Sequence, residues 1–83
     1  MVSDTDMLRI PPQSIESEVC VLGSMILKPE ALQVGLAEVQ EACFYRPAHQ
    51  IIFRVLRAMA ADGEAVDLVT VKERLISLNQ LEQ

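Results

Sequence analysis

The apolar residues of this chain recur at helical spacing, and prolines and glycines separate the helical segments. Ile15, Val19, Leu22 and Ile26 follow at i, i+4, i+7 and i+11, which places them on one face of an α-helix. No segment alternates apolar and polar residues for long enough to predict a strand. The pattern therefore predicts an all-α fold.

Boundary residues predict where each helix begins and ends. Proline suits the first helical position, and serine and aspartate cap the N-terminus. Glycine and asparagine adopt the left-handed conformation that often ends a helix. The predicted first and last residues are Ser14 and Lys28 for the first helix, Pro29 and Val39 for the second, Pro47 and Gly63 for the third, and Asp67 and Asn79 for the fourth.

An aromatic cluster adds to the predicted core. Residues 44 to 53, FYRPAHQIIF, hold every aromatic side chain of the sequence. A buried aromatic side chain removes about 150–250 Å² from water, which matters in a small domain. Phe44 and Phe53 are therefore predicted to anchor the core, with Tyr45 reaching the surface. The predicted core residues are Ile15, Val19, Leu22, Ile26, Phe44, Ile52, Phe53, Leu56, Leu68, Val71 and Leu75.

Composition excludes several classes of function. The 83 residues form one domain at most, and 12 acidic against 7 basic residues give a net charge of −5. Nucleic-acid affinity rests mostly on Lys and Arg, so direct DNA or RNA binding is not expected. Cys20 and Cys43 lack the spacing of a zinc site, and we expect reduced thiols in a cytoplasmic protein. No apolar run is long enough to span a membrane.

Few residues suggest catalysis. His49 is either an acid–base group or ligand, or a helix-edge residue that packs while one ring nitrogen bonds a carbonyl or carboxylate. Glu16 and Glu18 fall in the first turn of a helix, where the dipole favours anions, and they point to different faces. We therefore predict a capping and solvation role for both glutamates, and no catalytic, cofactor or metal site.

A basic face of the third helix is the candidate partner interface. Arg46, Arg54 and Arg57 lie at helical spacing with Gln50. Such a face is either simply solvated or docks an acidic partner surface. The 51% hydrophobic content also exceeds what a small lone domain covers easily, so some apolar surface is expected to be shared with a partner.

Four short motifs follow one another in a set order. They are RIPPQ at 9–13, PEAL at 29–32, FYRPAH at 44–49 and VDLVTV at 66–71. Together they resemble the N-terminal domain of DnaB-type replicative DNA helicases, over residues 9 to 83. The resemblance implies a small orthogonal bundle of about four to five helices. The lack of periodicity in residues 1 to 8 and the adjacent Pro11 and Pro12 predict an extended or disordered arm at 1–13. A head domain follows at 14–83, which the resemblance implies is incomplete before a helical hairpin.

The resemblance implies an interaction domain with no chemistry of its own. In that family the head domains build the collar of a hexameric ring and meet primase, and a helicase loader is a further expected partner. The parent protein would unwind DNA with ATP and Mg²⁺, neither bound by this segment. Without the hairpin, the fragment would associate weakly or stay monomeric. A free-standing phage- or plasmid-type module that mimics the helicase head remains the alternative.

Overall fold

The computed structural model describes residues 15–81 and contains no strand among them, so the all-α prediction is confirmed. The arm at 1–13 and the predicted cap at Ser14 lie outside the described residues. The helices are α1 (Ile15–Leu27), α2 (Pro29–Glu38), a 3₁₀ helix (Glu41–Cys43), α3 (Pro47–Ala61) and α4 (Leu68–Leu81).

Proline and glycine set the boundaries of α2 and α3 as predicted. Pro29 and Pro47 occupy the first turns of these helices, where a missing N–H breaks no helical hydrogen bond. Gly63 follows α3 with φ of 73°, and the next N–H, from Glu64, returns to the carbonyl of Met59 at 2.9 Å. This left-handed residue satisfies a carbonyl at the helix end and turns the chain toward α4.

Asp67 caps α4, as its position predicts. Its carboxylate accepts a hydrogen bond from the Thr70 N–H at 2.9 Å, and its own N–H donates to the Thr70 hydroxyl at 3.0 Å. The predicted stop at Asn79 is wrong, because α4 continues to Leu81 and no described residue other than glycine has a positive φ. Asparagine tolerates the left-handed conformation but does not require it, so the helical hydrogen bonds continue.

The core lies between α1, α2 and α3, with α4 closing one side. Ile26, Ile52 and Leu75 are partly buried and pack against it, and Ile15 is half-buried. The rings of Phe44 and Phe53 lie 5.4 Å apart between centroids, a favourable tilted contact. The buried apolar side chains are Leu22, Met25, Leu32, Val39, Phe44, Phe53, Val55, Leu56, Met59 and Val71.

Two predicted core residues are exposed instead. Val19 is 55% exposed because α1 turns Glu18, Leu22 and Met25 inward, and Val19 lies about 100° round the helix from Glu18. Leu68 is 62% exposed, since it is the first residue of α4 and precedes the buried position Val71. In both cases the apolar pattern allowed one more residue on the inner face than the packing uses.

Helices α1 and α2 approach each other closely at a glycine. A Cβ atom at Gly35 would lie 2.6 to 2.9 Å from side-chain atoms of Met25, closer than real Cβ contacts. Gly35 is itself buried, and Met25 is 2% exposed. The absence of a side chain at this position lets the thioether fill the space between the two helices.

Candidate functional site

A buried carboxylate organises the segment between α2 and α3. The Glu18 side chain is wholly inaccessible and points from α1 toward residues 45–49. One carboxylate oxygen accepts a hydrogen bond from the Tyr45 N–H at 2.7 Å. The other bonds His49 Nδ1 at 2.6 Å and lies 3.4 Å from the Arg46 nitrogen. One acidic side chain thus ties three elements together: α1, the turn and the first turn of α3.

The hydrogen bonds determine the charge of Glu18. Burial acts to raise the pKa of this carboxyl, but the bonds from Tyr45 and His49, with a weaker one from Arg46, outweigh it and hold the pKa below its ordinary value of 4.5. An ionised carboxylate only accepts hydrogen bonds, so Nδ1 of His49 carries the proton in this pair. Because the Glu18 side chain is wholly inaccessible to solvent, the prediction that it is solvated is wrong.

His49 is placed as a packed residue and not as an open acid–base group. It is 8% exposed, and its hydrogen bond to Glu18 is internal. No group of three or more metal-ligating side chains occurs within residues 15–79. The sequence contains no glycine-rich phosphate loop. What this arrangement does is hold a loop in one conformation.

The loop has a further internal support. The Gln50 side-chain amide donates to the Phe44 carbonyl at 2.8 Å, and Phe44 is itself buried at 1% exposure. The Phe44 ring therefore fixes one end of the turn and Pro47, with its restricted φ, fixes the other. The sequence identified these anchors and missed Glu18, whose i, i+4, i+7 relation to Leu22 and Met25 allows a buried position but does not by itself indicate one.

The structure does not gather the three predicted interface arginines into one free basic face. Arg54 binds Glu41 through two nitrogens, at 3.1 and 2.7 Å, and Arg57 approaches the same carboxylate at 3.4 Å. The hydrogen bond from Arg54 lowers the pKa of Glu41, and the positive charges of both arginines add to the effect. Arg46 stands apart, exposed, and its side chain makes no ion pair with any described residue.

Apolar surface remains uncovered outside this site. A groove of about 470 Å³ runs between α3 and α4, lined in part by Ile51, Ile52, Leu75 and Leu78. Large exposed side chains elsewhere include Leu27 and Val69. Of the helices that the structure describes, none has the length and apolar character needed to cross a membrane.

These features define a small helical domain whose buried polar residues hold a loop and whose surface keeps apolar area open. The chain matches the family model described as "DnaB-like helicase N terminal domain" over residues 10–83. This match covers most of the chain, so the protein belongs to the DnaB-like helicase N-terminal domain family.

Curated relatives agree with this family. The chain is 49% identical over 75 residues to the replicative DNA helicase DnaB of Geobacillus stearothermophilus, covering 90% of this chain and 16% of that protein. It is 42% identical over 81 residues to the replicative DNA helicase DnaC of Bacillus subtilis, covering 95% and 18%. The chain thus spans less than a fifth of these relatives. No solved structure matched it significantly.

Proposed function

We propose that this chain is the N-terminal interaction domain of a replicative DNA helicase and that it acts in ring assembly and primase contact. The observation that carries the proposal is the family match across residues 10–83 with relatives that are replicative DNA helicases. The internal use of Glu18 and His49 supports a role in binding and not in chemistry. Exposed apolar side chains supply surface that such contacts bury.

The parent protein that we propose is a hexameric, cytoplasmic helicase that uses ATP and Mg²⁺. Its motor would lie outside this chain, since the chain corresponds to only 16% of the relative from Geobacillus stearothermophilus. Self-association into the ring collar, primase and a helicase loader are the proposed contacts. The net charge of −5 accords with contacts to proteins and not to nucleic acid.

The test compares the full-length protein from the same gene with a version that lacks residues 1–83. The expected result is that primase binding is lost and ring assembly, measured by light scattering, is weakened, while ATP hydrolysis is retained. Unchanged primase binding and unchanged ring mass would refute the proposal. The gene sequence after Gln83 distinguishes this proposal from the alternative of a free-standing module. A downstream GxxxxGK[ST] motif would support the helicase, and a stop codon would support the module.

A further inference from the structure

Two adjacent side chains project from the loop that Glu18 holds. Tyr45 is 61% exposed although it is flanked by the buried Phe44, and Arg46 is also exposed. Their backbone N–H groups both face the Glu18 carboxylate, at 2.7 and 3.4 Å. The backbone of the pair is therefore held from inside the domain, while both side chains face outward.

This arrangement lowers the entropic cost of a contact. The turn is fixed by the Phe44 ring on one side and by Pro47 on the other, and Arg46 has an extended backbone with φ of −77° and ψ of 129°. A partner that binds Tyr45 and Arg46 orders two side chains but no backbone. Preorganised surfaces of this kind bind more tightly for the same area.

The charge pattern indicates what the pair binds. Arg54 and Arg57 bind Glu41, and Arg74 binds Glu64, so these arginines have carboxylate partners within the domain. Among the arginines of the described range, Arg46 alone forms no ion pair with a described carboxylate. Tyrosine and arginine are also among the residue types enriched at interface hot spots, where a ring contacts apolar area and a guanidinium binds a carboxylate.

We propose that Tyr45 and Arg46 form a docking pair for a segment of a partner protein that carries a carboxylate beside an apolar side chain. The inference rests on the proposed function, and it assigns the segment to primase. The Arg46 guanidinium binds the carboxylate, and the Tyr45 ring packs against the apolar neighbour. Glu18 is a positioning residue, because its carboxylate bonds the backbone N–H groups of Tyr45 and Arg46 and not their side chains.

The experiment measures the dissociation constant between the full-length protein and the primase of the same organism, by calorimetry. Tyr45→Ala and Arg46→Gln are each expected to weaken binding about tenfold or more. Lys72→Gln is the matched control, because it removes one positive charge from an exposed position on α4 and should leave the constant unchanged. The weakening caused by Arg46→Gln should shrink as salt rises, whereas that of Tyr45→Ala should persist.

The outcomes separate this inference from the proposed function. If wild-type protein does not bind primase, both fail. If wild-type protein binds and the Tyr45 and Arg46 variants bind as Lys72→Gln does, the docking pair is refuted and the proposed function stands. If the variants bind primase normally but form smaller assemblies by light scattering, the occupant is a second copy of the chain, and the inference is again overturned. Circular dichroism melts of each variant confirm that folding is intact.

Discussion

Replacing Glu18 with glutamine should destabilise this domain far more than an exposed glutamate position would suggest. The substitution keeps the shape of the side chain but removes the charge and exchanges one acceptor oxygen for an N–H₂ donor. If that donor faces the Tyr45 N–H, two donors oppose each other, and if it faces His49, Nδ1 can accept only when the imidazole carries its proton on Nε2 instead. Glu18→Gln therefore either breaks one of the two short bonds or keeps both as neutral bonds with His49 in its other tautomer, and in both cases their charge assistance is lost.

The size of the effect follows from the geometry. The contacts to Tyr45 and His49, at 2.7 and 2.6 Å, are short, charge-assisted hydrogen bonds, whereas the 3.4 Å contact to Arg46 is weak. Losing the charge assistance of two buried bonds costs about 1–2 kcal/mol, and leaving a buried donor without a partner raises the cost to about 2–4 kcal/mol. Such a loss is a large part of the total stability of a small domain.

Urea unfolding at pH 7, followed by circular dichroism, measures the difference in unfolding free energy. Glu16→Gln is the matched control, because Glu16 lies in the same helical turn, carries the same charge and is exposed. The control is expected to stay within about 0.5 kcal/mol of wild type. If Glu18→Gln unfolds at the same urea concentration as Glu16→Gln, the carboxylate does not hold the loop and the reasoning is refuted.

The pH dependence gives an independent measure of the same interaction. The folded-state pKa of Glu18 lies below the ordinary value of 4.5, so the native state favours the charged form. The resulting stability is fully present above about pH 4.5 and is lost as the pH falls through the lower, folded-state pKa. The acid limb of the stability curve should therefore be flatter in Glu18→Gln than in wild type. Glu41, whose pKa is also lowered, contributes to the limb in both proteins.

Three further substitutions test the packing and the helix ends by the same urea assay, with Ser77→Ala on the exposed side of α4 as a common control. Phe53→Ala should cost about 3–5 kcal/mol, since Phe53 is 1% exposed, and a change below about 1 kcal/mol would contradict its place in the core. Gly63→Ala should cost about 1–2 kcal/mol, because φ of 73° is strained for alanine, and a stabilised variant would contradict the left-handed turn. Asp67→Ala should cost about 1 kcal/mol through loss of the cap on α4, and equality with the control would contradict that cap.

Local chemistry determined the parts of the fold that sequence predicts well. Pro29, Pro47 and Gly63 act through backbone geometry, which does not depend on distant residues, so the helix boundaries that they set could be predicted. Asn79 only permits a helix end, and there the prediction failed because the helix continues. The aromatic anchors Phe44 and Phe53 were predictable from size alone.

The hydrogen bonds of the polar site were not predictable, because they join residues that are far apart in the sequence. Glu18 lies 31 positions from His49 and 27 from Tyr45, and no spacing rule links them. An acidic residue in the first turn of a helix is more often solvated there than buried. Only the packing of α1 against α3 shows that the inner face of α1 carries a charge, and that Val19 beside it is exposed.

Glu18 bonds the backbone of the loop, and this determines which side chains of the loop can be substituted. Glu18 bonds the N–H groups of residues 45 and 46, and every amino acid except proline supplies such a donor. The side chains at 45 and 46 can therefore be replaced without weakening the loop, while His49 and Phe44 cannot. Stability and recognition thus depend on different atoms of the same segment.

A Tyr45→Pro variant separates the two roles. It should unfold at a lower urea concentration than Tyr45→Ala, because it alone removes the 2.7 Å hydrogen bond from the Tyr45 N–H to Glu18. Equal stability of the two variants would show that the carboxylate does not hold the turn.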